Sequence, residues 1–168
     1  MTAQRIDRSG FTLLEVLITV AILLVLAGIA VPAFQDTVDD ARATSTRQEL
    51  QRMRTAIDFY AFQHLEQLPG WNGASWDEAT LRAQLTLASD LVGNTAASGT
   101  AGYGFGPYLT EGVPANPFNE LDTIVVVAPG GSFAAANDQS GWVYFAADGS
   151  VRANTTASTP EGDPVFGL

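Results

Sequence analysis

An α+β fold, with a long N-terminal helix packed on a small antiparallel sheet, is predicted by three observations. A nearly uncharged apolar run opens the 168-residue chain, an amphipathic helical pattern follows it, and short β-rich runs bounded by turn residues come late. With 46% apolar and 15% charged residues, the chain is too hydrophobic to be disordered and long enough for one real core. Its 18 acidic residues face 8 basic ones, all arginine, for a formal charge of -10. Net repulsion of that size argues against a polyanion, so nucleic acid is excluded as a partner. The absence of cysteine removes disulfide frameworks and thiolate chemistry and leaves the compartment open.

The first element is the apolar run. From Val16 to Phe34 the nineteen residues carry no charge and Thr19 alone is polar. At about 1.5 Å per residue they span roughly 28 Å of helix, which matches a hydrocarbon core of about 30 Å. Arg5 and Arg8 precede the run and Asp36, Asp39 and Asp40 follow it. The positive-inside bias therefore puts the N-terminus in the cytoplasm and everything after Phe34 across the membrane. A cleaved secretory signal is an alternative, since Val31-Pro32-Ala33 offers a small-residue site before Phe34, and it predicts a secreted soluble binding domain. A plain signal anchor leaves Glu15 unexplained. A carboxylate in a spanning helix costs up to about 3 kcal/mol, so it is a functional hypothesis by default, against the alternative that it snorkels to the interface.

Ser9-Gly10-Phe11-Thr12-Leu13-Leu14-Glu15, followed by an apolar helix containing Gly28 and Pro32, resembles the N-terminus of the type IV pilin and type II secretion pseudopilin superfamily. The resemblance implies cleavage between Gly10 and Phe11 by a prepilin peptidase, N-methylation of Phe11, and pairing of Glu15 with the amine of an adjacent subunit during filament assembly. It implies a leader at 1–10, a transmembrane and assembly helix at 11–35, and a head at 36–168 that includes the amphipathic half of the long helix. Leu13, Leu14 and Pro32 join Glu15 as assembly residues, with Leu17, Ile18, Leu24 and Val25 trading lipid for neighbouring helices. The implied partners are further copies of the chain, other pilin-like subunits, the inner-membrane assembly platform and the prepilin peptidase. The implied location is the inner membrane, single-pass, with the head periplasmic or carried outward in a filament. Without its leader the chain keeps 6 arginines against 17 acids, a charge of -11.

Beyond the apolar run, Leu50, Met53, Ile57, Tyr60, Ala61, His64 and Leu68 recur at three- and four-residue spacing, with polar residues on the other sides. One helix from Phe11 to about Gln67 is expected, ended by Leu68-Pro69-Gly70 and weakened near Gly28 and Pro32. Asp39 with Arg42, Glu49 with Arg52, and Arg54 with Asp58 are spaced to pair along it. Ser75 and Glu78 have capping-box spacing before a short second helix reaching about Leu91. Residues 93–102 read as a flexible loop and 103–119 as an ordered irregular segment. Thr123 to Ala128 reads as a strand, and Trp142 to Ala146 pairs with Ser150 to Asn154 across a type I′ turn at Asp148-Gly149. The remaining tail is expected on the surface.

In the C-terminal half, Gly106-Pro107-Tyr108-Leu109, Val113-Pro114-Ala115-Asn116-Pro117 and Gly141-Trp142-Val143-Tyr144 are similar in order to the heads of major pseudopilin-like proteins. The lack of cysteine departs from the many pilus-forming members that close a C-terminal disulfide loop, which favours a type II secretion pseudopilin; a type IV pilus pilin for adhesion or motility is the alternative. The family's calcium loop does not align. Oxygen-bearing Asn116, Asn119, Asp122, Asn137, Asp138 and Asp148 have no recognised loop spacing, and turn chemistry accounts for such residues. Calcium, with Asn119, Asp122, Asp138 and Asp148 as its candidate ligands, rests on the resemblance.

No catalytic constellation is present, so an enzyme is not expected. His64 is the single histidine and sits on the apolar stripe, as a packed or interfacial residue. Gly102 to Gly106 opens no helix and precedes Pro107, which makes it a connector rather than a phosphate loop. No G-x-S-x-G motif occurs. Asn154-Thr155-Thr156 fits an N-glycosylation acceptor by chance.

Overall fold

The computed structural model describes residues 11–168, with side chains left out over 29–36, so Gly10 and the Pro32 side chain lie outside the described residues. Helix α1 runs Leu13–Gln63. The chain divides into two units, one ending at Val38 and the other Asp39–Leu168.

Helix α1 ends earlier than Gln67 because Leu65 and Glu66 take left-handed backbone, φ 58 and 62. Glu66 N donates to Ala61 O at 2.9 Å, which closes the last turn. The predicted stripe is the buried one: Leu50, Met53, Ile57, Tyr60, Ala61 and His64 all face the core of the second unit. Helix α2, Glu78–Thr86, starts at a different cap from the expected one. Asp77, not Ser75, is its N-cap, and its carboxylate accepts from Thr80 N at 2.8 Å. Glu78 is thereby released to accept from Ile124 N at 3.0 Å and from Arg82 at 3.1 Å.

A two-stranded ribbon follows, β1 Ala88–Ser89 with β2 Thr95–Ala96, so part of the expected flexible loop is paired. The main sheet orders β3 Ile124–Val127, β4 Trp142–Phe145 and β5 Ser150–Ala153 as β3-β4-β5. Its β4–β5 pair is antiparallel, as expected. Its β3–β4 pair is parallel, with Ile124 opposite Trp142 and Val127 opposite Phe145. The sheet is therefore mixed rather than all antiparallel. The chain between β3 and β4, residues 128–141, is long enough for the crossover that a parallel pair requires. Gly141 ends that crossover where a Cβ would stand 1.9 Å from Leu121 O, so no side chain fits. The β4–β5 connection is also longer than a two-residue turn: Phe145 pairs with Ser150, and Gly149 alone has positive φ.

Trp142, Tyr144 and Val151 meet the helix stripe together with Leu81, Leu85 and Leu109. The polar ends of the aromatics are satisfied: Trp142 Nε1 donates to Pro114 O at 2.8 Å and Tyr144 Oη to Pro69 O at 2.9 Å. The tail is not confined to the surface. A 3₁₀ turn, Val165–Gly167, buries Val165 completely in this core. Arg54 pins it by donating to Leu168 O at 3.0 Å and to Val151 O at 2.9 Å, in place of the expected pair with Asp58.

Candidate functional site

Thr12-Leu13-Leu14-Glu15 is itself a capping box, and it explains where α1 begins. Thr12 Oγ1 accepts from Glu15 N at 3.2 Å, and Glu15 Oε2 accepts from Thr12 N at 2.8 Å and from Thr12 Oγ1 at 2.9 Å. A threonine three residues before a glutamate, ahead of an apolar run, is the sequence signal for this use of Glu15. The carboxylate therefore has a local set of donors at the helix start, one residue beyond Phe11.

Around this cap the surface is apolar and uncovered. Phe11 is 81% exposed and Leu13 83%, and Leu14, Leu17, Ile18, Leu24 and Val25 are all exposed. Thr19, the polar residue of the run, turns its hydroxyl back onto Val16 O at 2.9 Å, so it presents no unmet donor. A Cβ at Gly28 would meet nothing within 4 Å, so this chain gives no internal reason for glycine there. A continuous apolar surface on these turns is far larger than a soluble monomer leaves to water. Among the described residues no helix is long and apolar enough to cross a membrane. The expected span at 11–35 falls in part on residues 29–36, whose side chains are outside the description.

The candidate calcium ligands are each engaged in a different place. Asn119 donates its amide to Ser140 O and Asn154 O, and its oxygen accepts from Leu121 N. Asp122 accepts from Arg82 at 3.2 Å. Asp138 accepts from Thr156, whose hydroxyl bond holds its carboxyl below the usual range. Asp148 accepts from Ser150 N at 2.9 Å in the β4–β5 turn, and that bond holds its carboxyl low as well. Asn119 reaches Asn154 O, Asp138 is bonded to Thr156, and Asp122 and Asp148 are engaged by Arg82 and Ser150. Among the described residues no group of three or more His, Cys, Asp or Glu side chains is placed to hold a metal ion. The four residues do not fit one coordination sphere, which needs six to eight convergent oxygens.

His64 is a packed histidine. It is 1% exposed, stacks on Tyr60 at 3.8 Å, and its two ring nitrogens meet Tyr60 O at 2.8 Å and Ser89 Oγ at 3.1 Å. Asn154 is fully buried, with its amide spent on Asn137 Oδ1 and Ser140 Oγ, so it is closed to glycosylation. Two of the three expected helix pairs form, Asp39–Arg42 and Glu49–Arg52, each at 3.6 Å.

A family model matches the stretch that holds the cap and the apolar surface. The model of the prokaryotic N-terminal methylation motif matches residues 5–31. The type IV major alpha-pilin of Moraxella bovis is 41% identical over 63 residues, covering 38% of this chain and 37% of that protein. The type II secretion system core protein G of Pseudomonas aeruginosa is 37% identical over 57 residues, covering 34% and 40%. A type IV major fimbrial protein FimA of Dichelobacter nodosus is 33% identical over 98 residues, covering 56% and 59%. The chain thus spans between about a third and three fifths of the length of these relatives. No solved structure matches it. The resemblance drawn from residues 9–15 is borne out: the motif is the prepilin one, and the relatives are pilins and a secretion-system pseudopilin.

Proposed function

We propose that the chain is a structural subunit of a pilin-like filament, cut between Gly10 and Phe11 by a prepilin peptidase and assembled through the N-terminal part of α1. One observation carries this reading: the methylation motif matched at 5–31 contains an apolar helical surface, Leu13 to Val25, that stands exposed among the described residues. Such a surface is stable in lipid or against identical helices. Exchange of lipid for helices is driven by close packing, which Gly28 permits.

Glu15 sets the register. In the uncut chain its carboxylate caps its own helix through Thr12. Cleavage after Gly10 would create an ammonium on Phe11, one residue before that cap. A neighbour's ammonium can then take over the carboxylate, and only an axial offset that joins the two avoids a charge of up to about 3 kcal/mol left unpaired in the bundle. Pro32 would sit in the part of the helix that yields as subunits pack. The assembly partners are further copies, other pilin-like subunits and an inner-membrane platform, with the N-terminus cytoplasmic and the head periplasmic or carried outward.

Between the two filament systems, the type II secretion pseudopilus is favoured by the absence of cysteine, which leaves the head without the disulfide loop of many pilus-forming members. The work is mechanical and no residue is assigned a catalytic role. Intact mass and N-terminal sequencing of the protein from native membranes test the reading. A chain starting at methylated Phe11 is expected. A start at Phe34 would identify a secreted soluble domain instead.

A further inference from the structure

Between the end of α1, the turn at 68–73, α2 and the loop after β1 lies a half-open cleft of about 630 Å³. That is the size of a small-molecule site. None of its lining residues is Asp, Glu, Lys, Arg or His, in a chain with 18 acids and 8 arginines. An anion would find no counter-ion there, and Asp90, which acts on Tyr60, adds negative charge nearby.

Tyr60 and Gln84 are the buried members of a polar wall that also includes Gln67, Asn72, Thr80 and Asn94. Tyr60 is 2% exposed, yet no hydrogen bond joins its hydroxyl to any described residue. Burial pushes its phenol up, so it keeps a proton to donate. Gln84 accepts from Gly70 N at 2.7 Å and gives one amide proton to Gly93 O at 2.9 Å, which leaves its second proton without a described acceptor. A methyl on Gly93 would stand 2.5 Å from the Tyr60 hydroxyl and 2.9 Å from Gln84 Nε2, and its φ is +86, so glycine keeps both groups accessible. The Tyr60 hydroxyl is not one of the sealed, unsatisfied side-chain atoms of the described residues, so it is reachable from the cleft and open to an occupant. At the rim Trp71 is 44% exposed, set by a backbone bridge to Trp76 and a ring contact with it at 5.6 Å.

A wholly apolar occupant would strand Tyr60 and Gln84, and an anion would strand itself. A ring with hydroxyls on its edge and C–H bonds on its face satisfies both walls. We propose that this cleft binds a neutral sugar ring, with its hydroxyls on Tyr60 and Gln84 and its C–H face on the Trp71 indole. The proposal is independent of the filament reading, because every residue it uses lies in Asp39–Leu168.

The test is tryptophan fluorescence of the whole chain in a zwitterionic, sugar-free detergent. The titrants are glucose, galactose, mannose, N-acetylglucosamine and N-acetylgalactosamine, with glucuronic and sialic acids as charged counterparts. Trp142 is fully buried, so a change reports the Trp71–Trp76 pair. At least one neutral sugar should give a saturable change with a Kd on the order of 1 mM. Trp71→Ala should abolish it, and Tyr60→Phe, which keeps the ring stacked on His64, should weaken it about tenfold. No response to any neutral sugar, equal responses to the charged ones, or a Tyr60→Phe affinity unchanged in a protein of unaltered melting would each overturn the proposal.

Discussion

Two stretches of the same helix are equally rich in aliphatic side chains and meet opposite fates. Leu50, Met53 and Ile57 are buried, whereas Leu13, Leu17 and Leu24 are exposed among the described residues. The first set has its cover encoded downstream, in β4, β5, α2 and the tail. Among the described residues the second set is left exposed. Apolar content alone therefore says that a surface will be covered, and the rest of the chain decides whether the cover is internal.

The comparison can be broken most directly by truncation. Leu50→Ala should cost the head about 2–5 kcal/mol in urea unfolding followed by Trp142 fluorescence. The same change at Leu17 should leave that unfolding curve in place while lowering filament yield; a Leu17→Ala head as unstable as Leu50→Ala would erase the distinction. Glu15→Ala should likewise spare insertion and head stability but cut filament yield at least tenfold, on an unpaired-charge cost of about 3 kcal/mol. Thr12→Ala sharpens this, because it removes the cap and leaves the carboxylate for the ammonium. Its filament yield should stay well above that of Glu15→Ala, and equal yields would make the cap the whole of Glu15's role.

Within the head, Arg54→Ala should cost about 1–3 kcal/mol by leaving Val151 O and Leu168 O without their donor. A smaller effect comes from acid. The Thr80 amide holds Asp77 below the usual carboxylate range, Asn94 does the same for Asp90, Thr156 for Asp138 and Ser150 for Asp148. A depressed folded pKa stabilises above the unfolded value, near 3.8, and that stability is lost as pH falls through the folded one. Head melting should be flat above about pH 5 and decline below about pH 4. A midpoint of loss near neutrality would contradict that assignment. The smallest change is Arg42→Ala, whose exposed pair with Asp39 is worth about 0.5 kcal/mol or less.

Legibility in the sequence followed the same divide. The stripe from Leu50 to His64 and the motif from Gly10 to Glu15 were readable because each is a local pattern in a fixed register. The parallel β3–β4 pair was not, since strand direction depends on how residues 128–141 return and not on alternation within the strands. Arg54 was assigned to Asp58 by spacing, and a tail carbonyl more than a hundred residues away took it instead. Asp77 displaced Ser75 as cap through Thr80, a choice between neighbouring candidates that capping-box spacing alone does not make. The Tyr60–Gln84 cleft left no sequence signal, because its parts come from four separate segments.

The most direct measurement of the account uses the chain's lack of cysteine. Leu17→Cys and Met53→Cys, each made alone in otherwise unchanged filaments, are treated with a short thiol cross-linker. Leu17→Cys should yield ladders of linked subunits, and Met53→Cys should stay unlinked until the head is denatured. Intact filaments in which Leu17→Cys forms no inter-subunit link would contradict the claim that neighbouring copies cover the apolar half of α1.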